Sequence, residues 1–213
     1  MALRRHCKAE KAMRSAAVDR AAGQCEEFTG SCDDEDLIPL VQRAPSLKSL
    51  DIQLYRLDYD DDYDDHSSDV LVEALKKLTL LEDLQIYFHY SLISDENTLQ
   101  SVCQACPQLK KLVMIYASSI ELELDEDLYG KEPVDGPIPL MRNLHTLELD
   151  DVDLTCEGLN AILDSCPLLQ TLTIHGYFDM REMDKQLRMK CARVKNLTLP
   201  ESVKHEDDIY YDY

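Results

Sequence analysis

"CPLLQTLTI", residues Cys166 to Ile174, carries apolar side chains at its fourth, seventh and ninth places: Leu169, Leu172 and Ile174. Sixty residues earlier, "CPQLKKLVM" (Cys106 to Met114) repeats the arrangement with Leu109, Leu112 and Met114. The same L-x-x-L-x-L spacing recurs at Leu47/Leu50/Ile52, Leu81/Leu84/Ile86, Leu144/Leu147/Leu149 and Val194/Leu197/Leu199. First positions lie 34, 28, 35, 25 and 25 residues apart, and a degraded copy, Cys25/Phe28/Gly30, starts 22 residues before Leu47. These intervals fall around the period of about 20–29 that marks leucine-rich repeats, with two long exceptions.

The last two apolar places of each copy predict a short strand, with alternate side chains turned inward at period two. Before most strands runs a helix-period stretch: "DLIPLVQRAP", "VLVEALKKLT", "TLQSVCQACP" and "GLNAILDSCP". Leu71, Leu75 and Leu78 mark one face of the second, and Leu159, Ile162 and Leu163 one face of the last. A lone strand–helix unit of this size cannot offset its chain entropy by apolar burial, so stacking must supply the missing wall. The expected fold is therefore α/β: a horseshoe-like solenoid of about six to seven repeats. Parallel strands line its concave side and helices its convex side.

Three residues before each strand motif stands a small or apolar residue: Ala44, Leu78, Cys106, Met141, Cys166 and Cys191. Pro45, Pro107 and Pro167 follow three of them, where Pro stops a helix and favours an extended exit. Both long intervals hold polar insertions, "RLDYDDDYDDHSSD" and "ELELDEDLYGKEPVDGPIP". The expected organisation is an N-terminal helix or cap at 1–24 and a repeat array at 25–200 with acidic loops near 57–69 and 121–139. An acidic tail at 201–213 completes it.

The 213 residues are 45% hydrophobic, as suits a folded core, and 42 acidic against 22 basic residues give a net charge of −20. That field repels phosphate backbones and anionic lipid, so neither nucleic acid nor membrane is an expected partner. No apolar run reaches the ~20 residues of a membrane helix. The basic N-terminus lacks the apolar core of a secretory signal and reads as a helix, "AEKAMRSAAVDRAAG", stopped by Gly23. Eight cysteines (7, 25, 32, 103, 106, 156, 166 and 191) without a signal segment read as reduced thiols of a cytoplasmic or nuclear protein.

The fuller pattern is I-(S/T)-D-E-x-L, a helix, then C-P-x-L-x-x-L-x-(L/I). It runs through "LISDENTLQSVCQACPQLKKLVM" (Leu92 to Met114) and "DLTCEGLNAILDSCPLLQTLTI" (Asp153 to Ile174). It resembles the cysteine-containing leucine-rich repeat of F-box proteins. "AVDRAAGQ" (Ala17 to Gln24), "RAPSLKSL" and "VDLTCEGLNAILDSCP" are more narrowly similar to the post-F-box region of plant F-box/leucine-rich-repeat proteins. The resemblance covers residues 12–200. It implies a non-catalytic substrate-binding part of an SCF ubiquitin ligase, acting in ubiquitin-dependent degradation. In that family a preceding F-box binds the Skp adaptor, but nothing here matches its L-P-x-x-x-L-x-x-I pattern. Skp binding is thus expected only if an F-box stands upstream. The alternative is a truncated or orphan repeat scaffold with no ligase role.

Chemistry-bearing motifs are sparse. Cys103 and Cys106 form C-x-x-C, but a structural zinc site needs a second ligand pair, and buried thiols explain both residues. Stoichiometric zinc would favour the rival reading of a metal or redox protein. Counted from Asp60, "DYDDDYDD" offers Asp65 where a calcium loop needs Gly and Leu71 where it needs Glu. It reads as a solvated loop, with Tyr59 and Tyr63 as anchors should it dock a basic partner. No nucleophile elbow, HExxH, P-loop or dinucleotide motif occurs, so neither an enzyme nor a cofactor is expected.

The remaining surface with a geometric rationale is the concave face. Residues alternating with the buried ones are Asp51, Gln53 and Tyr55, then Gln85, Tyr87 and His89, then Val113 and Ile115. Glu148, Asp150, Thr173, His175 and Tyr177 continue the row. Apolar and aromatic residues within an acidic rim are what interface centres show, and the acidic charge fits a basic protein partner. A plain solvent-facing strand row is the competing interpretation.

Overall fold

In the computed structural model, residues 2–54, 67–88, 98–116 and 134–200 are described, with residues 2–10, 34, 35, 67 and 68 by backbone alone. The described strands are β1 (Glu27–Cys32), β2 (Ser49–Leu54), β3 (Asp83–Phe88), β4 (Lys111–Tyr116), β5 (Thr146–Leu154), β6 (Thr171–Phe178) and β7 (Asn196–Thr198). They form one parallel sheet in sequence order. The helices are α1 (Ala2–Arg20), α2 (Asp34–Arg43), α3 (Ser67–Leu75), α4 (Thr98–Ala105), α5 (Cys156–Ser165) and α6 (Lys185–Cys191).

The strand register reproduces the sequence pattern place by place. Leu50 pairs with Leu84, Leu112 follows, then Leu147, Leu172 and Leu197. One step on, Ile52, Ile86, Met114, Leu149 and Ile174 form a second row. Both rows through β6 are buried against the apolar sides of the helices, including Leu71 and Leu75 of α3 and Leu159, Ile162 and Leu163 of α5. Leu78, expected on the α3 face, lies past that helix's end and is buried in the following corner. The degraded copy also forms a strand, pairing Phe28 with Leu50 and Gly30 with Ile52. The fold is α/β and consistent with leucine-rich-repeat units.

The corners explain the small-residue column. Ala44, Leu78, Cys106, Met141, Cys166 and Cys191 are all buried. Each accepts a backbone hydrogen bond from the residue three places on: Leu47, Leu81, Leu109, Leu144, Leu169 and Val194. Each corner is thus a β-turn, and Pro45, Pro107 and Pro167 occupy its second position, where their fixed φ is pre-set. This refines the helix-stopping role expected for them. Pro39 in fact lies inside α2.

Just after the first four turns, one carbonyl accepts from two successive amides of the next unit. Lys48 O takes Glu82 N at 2.8 Å and Asp83 N at 2.9 Å, and the carbonyls of Glu26, Glu82, Lys110 and His145 repeat the arrangement. The side chains of this column alternate in charge where they can: Lys48 pairs with Glu26 at 2.8 Å and Lys110 with Glu82 at 2.7 Å. All four are well exposed, so solvent screening leaves these pairs little weight in stability.

The helix starts follow their caps. Thr155, the Ser/Thr place of the repeat pattern, accepts from Gly158 N at 3.0 Å. Asp33 caps α2 through Asp36 N at 2.8 Å, and Asp184 caps α6 through Leu187 N at 2.7 Å. Helix α6 escapes the periodicity search because "KQLRMKC" buries only Leu187 and Cys191.

The expected loop boundaries shift. Residues 67–69, placed in the first acidic loop, already belong to α3, and 57–66 lie outside the described residues. Of the second insertion, 121–133 lies outside them, whereas Val134 bridges Leu154 and Ile138 is buried. That return is possible because Gly158 has no Cβ: one placed there would meet Val134 O at 1.8 Å. The acidic tail also lies outside the described residues.

Candidate protein-interaction face

Helices occupy one side of the sheet, and the other side carries the residues that alternate with the core rows. Its middle row aligns Thr29, Asp51, Gln85, Val113, Glu148 and Thr173. The next aligns Ser31, Gln53, Tyr87, Ile115 and Asp150. Alternation thus brings Asp51, Gln53, Gln85, Tyr87, Val113, Ile115, Glu148, Asp150 and Thr173 onto one face. Tyr55 and His89 lie outside the described residues.

Val113 corrects one expectation. It lies in the row by register yet is only 2% exposed, and Ile115 is half-buried, so neither is the open apolar contact predicted. Alternation decides which face a side chain takes, not how much of that face is covered. Exposed aromatic surface comes instead from Tyr87, 36% exposed, and Tyr177, 48% exposed. Gln85 Nε2 donates to the Tyr87 hydroxyl at 2.6 Å, tying the two together along one strand.

Towards β6 the sheet bulges. Asp151 takes φ +60°, and pairing jumps from Leu149↔Ile174 to Val152↔Gly176 and Asp153↔Tyr177. The extra residue on β5 increases local twist and re-aims its neighbours. It leaves His175 Nδ1 3.4 Å from Asp150 Oδ1, and His175, Gly176 and Tyr177 consecutively exposed. Gly176, at φ +129°, is required: a Cβ would meet Val152 O at 2.1 Å.

Sequence reasoning missed the row at the strand starts, Ser49, Asp83, Lys111, Thr146 and Thr171, although the same alternation run one step back finds it. It also missed Asp153, because the bulge breaks the period of two.

The thiols sit on the helix side. Cys103, Cys106 and Cys166 are buried, and Cys106 Sγ donates to Leu75 O at 3.8 Å. Burial pushes the Cys106 and Cys166 thiols up to about 12, and Cys103 is raised for the same reason. Cys32 is pushed up to about 11, mainly by burial. Burial likewise raises the phenol of Tyr116, whose ring stacks on Phe88 with centroids 4.8 Å apart. Among the described residues no group of three or more His, Cys, Asp or Glu side chains is placed to hold a metal. Nor is any helix among them long and apolar enough to cross a membrane.

A cavity of about 320 Å³ opens between α1, β1 and α2, lined by Arg14, Ser15, Val18, Phe28, Cys32 and Arg43 among others. Its cations face acids of the same structure: Lys11 meets Asp36 at 2.8 Å, Arg14 meets Asp36 at 3.7 Å, and Arg43 meets Asp19 at 3.2 Å. Asp33, 3.5 Å from Lys11, is the third acid against these three cations, so the charges balance.

No family model matches the chain. Its relatives are plant F-box/LRR-repeat proteins of Arabidopsis thaliana. F-box/LRR-repeat protein 22 is 34% identical over 66% of the chain and 42% of its own length. F-box/LRR-repeat protein 23 is 30% identical over 86% of the chain and 38% of its own length. A further F-box protein of the same plant is 32% identical over 84% of the chain and 55% of its own length. The chain spans about half or less of the length of these relatives. By sequence it belongs with the plant F-box/LRR-repeat proteins.

Proposed function

We propose that this member of the plant F-box/LRR-repeat group is a non-catalytic protein-recognition module. Its open sheet face is the capture surface. In this reading residues 25–200 form a curved solenoid of about six to seven repeats, 1–24 cap it, 201–213 are an acidic tail, and the open face is concave. Joined to an F-box, it is the substrate-receptor half of an SCF ubiquitin ligase in the cytoplasm or nucleus. Acting alone, it is a scaffold with no ligase role.

The observation that carries this reading is the division of labour across the sheet. The helix side is a continuous apolar core, while the other side presents Tyr87 and Tyr177 beside Glu148, Asp150 and Asp153. Aromatic anchors ringed by polar groups concentrate binding energy at interfaces. Quantitative mass spectrometry of partners retained from plant extract tests it. The double variant Tyr87→Asp/Tyr177→Asp is expected to lose those partners at least tenfold while its melting temperature stays within about 2 °C, because both side chains lie off the core. Undiminished retention contradicts the reading. Retention of Skp adaptor by a natural longer transcript that carries an F-box, and not by this chain alone, favours the ligase form over the scaffold.

A further inference from the structure

The open face is strongly unbalanced in charge. Asp51, Asp83, Glu148, Asp150 and Asp153 stand on it by register, against the single lysine Lys111 among the described strand residues of that face. The carboxylates are not spread evenly: Glu148, Asp150 and Asp153 all belong to β5, immediately beside Ile115 and two strands from Tyr87. An apolar and aromatic spot thus adjoins an acidic one.

We propose that the occupant of this face is an extended, lysine- or arginine-rich peptide segment of a partner protein. It lies across the strands with an apolar side chain on Tyr87 and Ile115 and a basic one between Glu148 and Asp150. The inference rests on the reading that this face captures protein, and adds the chemistry of what is captured. Charge complementarity selects the basic class: an acidic peptide or a phosphate backbone meets like charge here, in a chain of net charge −20. Geometry sets the spacing. Tyr87, Ile115 and Asp150 are direct partners on three successive strands, and strands lie about 4.8 Å apart, so anchor and acid are separated by about 5–10 Å. An extended chain advances about 3.3 Å per residue, which places the basic residue within about three positions of the apolar one.

The test is a selection of displayed random 12-residue peptides on the whole chain, with winners measured by fluorescence anisotropy. Expected winners carry Lys or Arg within about three positions of an apolar residue, bind less tightly as salt rises, and lose about tenfold affinity for Glu148→Gln/Asp150→Asn. Both substitutions are isosteric, and thermal unfolding of the variant confirms that it is folded. Winners that need Tyr87 but lack basic residues, or bind this variant unchanged, overturn the inference and leave the face reading standing. Winners indifferent to Tyr87→Asp, or no winners at all, overturn the face reading itself. A dimer in sedimentation that Tyr87→Asp converts to monomer assigns the face to a second copy and overturns the proposal.

Discussion

At position 176 a missing Cβ lets β5 and β6 stay paired beyond the bulge. Val152 O would lie 2.1 Å from any Cβ there, and the φ of +129° is itself unfavourable for an L side chain. Both costs fall on the folded state alone. Gly176→Ala is expected to destabilise the chain by about 2–4 kcal/mol in urea unfolding, since strain and backbone overlap add. A loss under about 0.5 kcal/mol contradicts the bulge geometry. Neither the bulge nor its glycine was legible in the sequence. Two adjacent acids, Asp150 and Asp151, do break the alternation of "LDDVDL", but one such break in a strand does not by itself show an extra residue, which the pairing of Asp153 with Tyr177 reveals. The burial of Val113 was hidden in the same way, because a period of two carries no information about coverage.

At the scale of the element, the corner unites several residue choices. A small or apolar residue opens each corner as the first place of a β-turn, and three of the six turns carry proline at their second place. This was the most legible element, because every copy obeys the same steric demand. Its strand register across β2 to β7 was likewise readable from L-x-x-L-x-L alone. Helix α6 was not, since two buried side chains in seven residues make no periodic signal. Thiols at the corners make a pH prediction. Folded Cys106 and Cys166 hold their protons up to about 12 against an ordinary value of 9.0. Above pH 9 the unfolded chain therefore releases protons that the folded chain keeps. Their contribution is fully present below pH 9 and is lost as pH rises towards about 12. Between pH 8 and 10.5, urea unfolding of the native chain is expected to lose more stability than that of Cys106→Ala/Cys166→Ala. Equal losses show that these thiols ionise alike in both states.

At the scale of the whole molecule, no unit owns a closed core. Leu112 of β4 lies in a row with Leu84 of β3 and Leu147 of β5, and all three are fully buried. In such a stack, stability comes from neighbour interfaces as much as from each unit's own contacts. The array spans about half or less of the length of its relatives. Whether each unit completes its neighbours' apolar wall is decided by hydrogen exchange on Leu112→Ala. The substitution removes buried apolar volume worth about 2–5 kcal/mol at one strand. Faster amide exchange is expected in β3 and β5 as well as in β4. Faster exchange confined to β4, with β3 and β5 unchanged, would contradict such a shared wall.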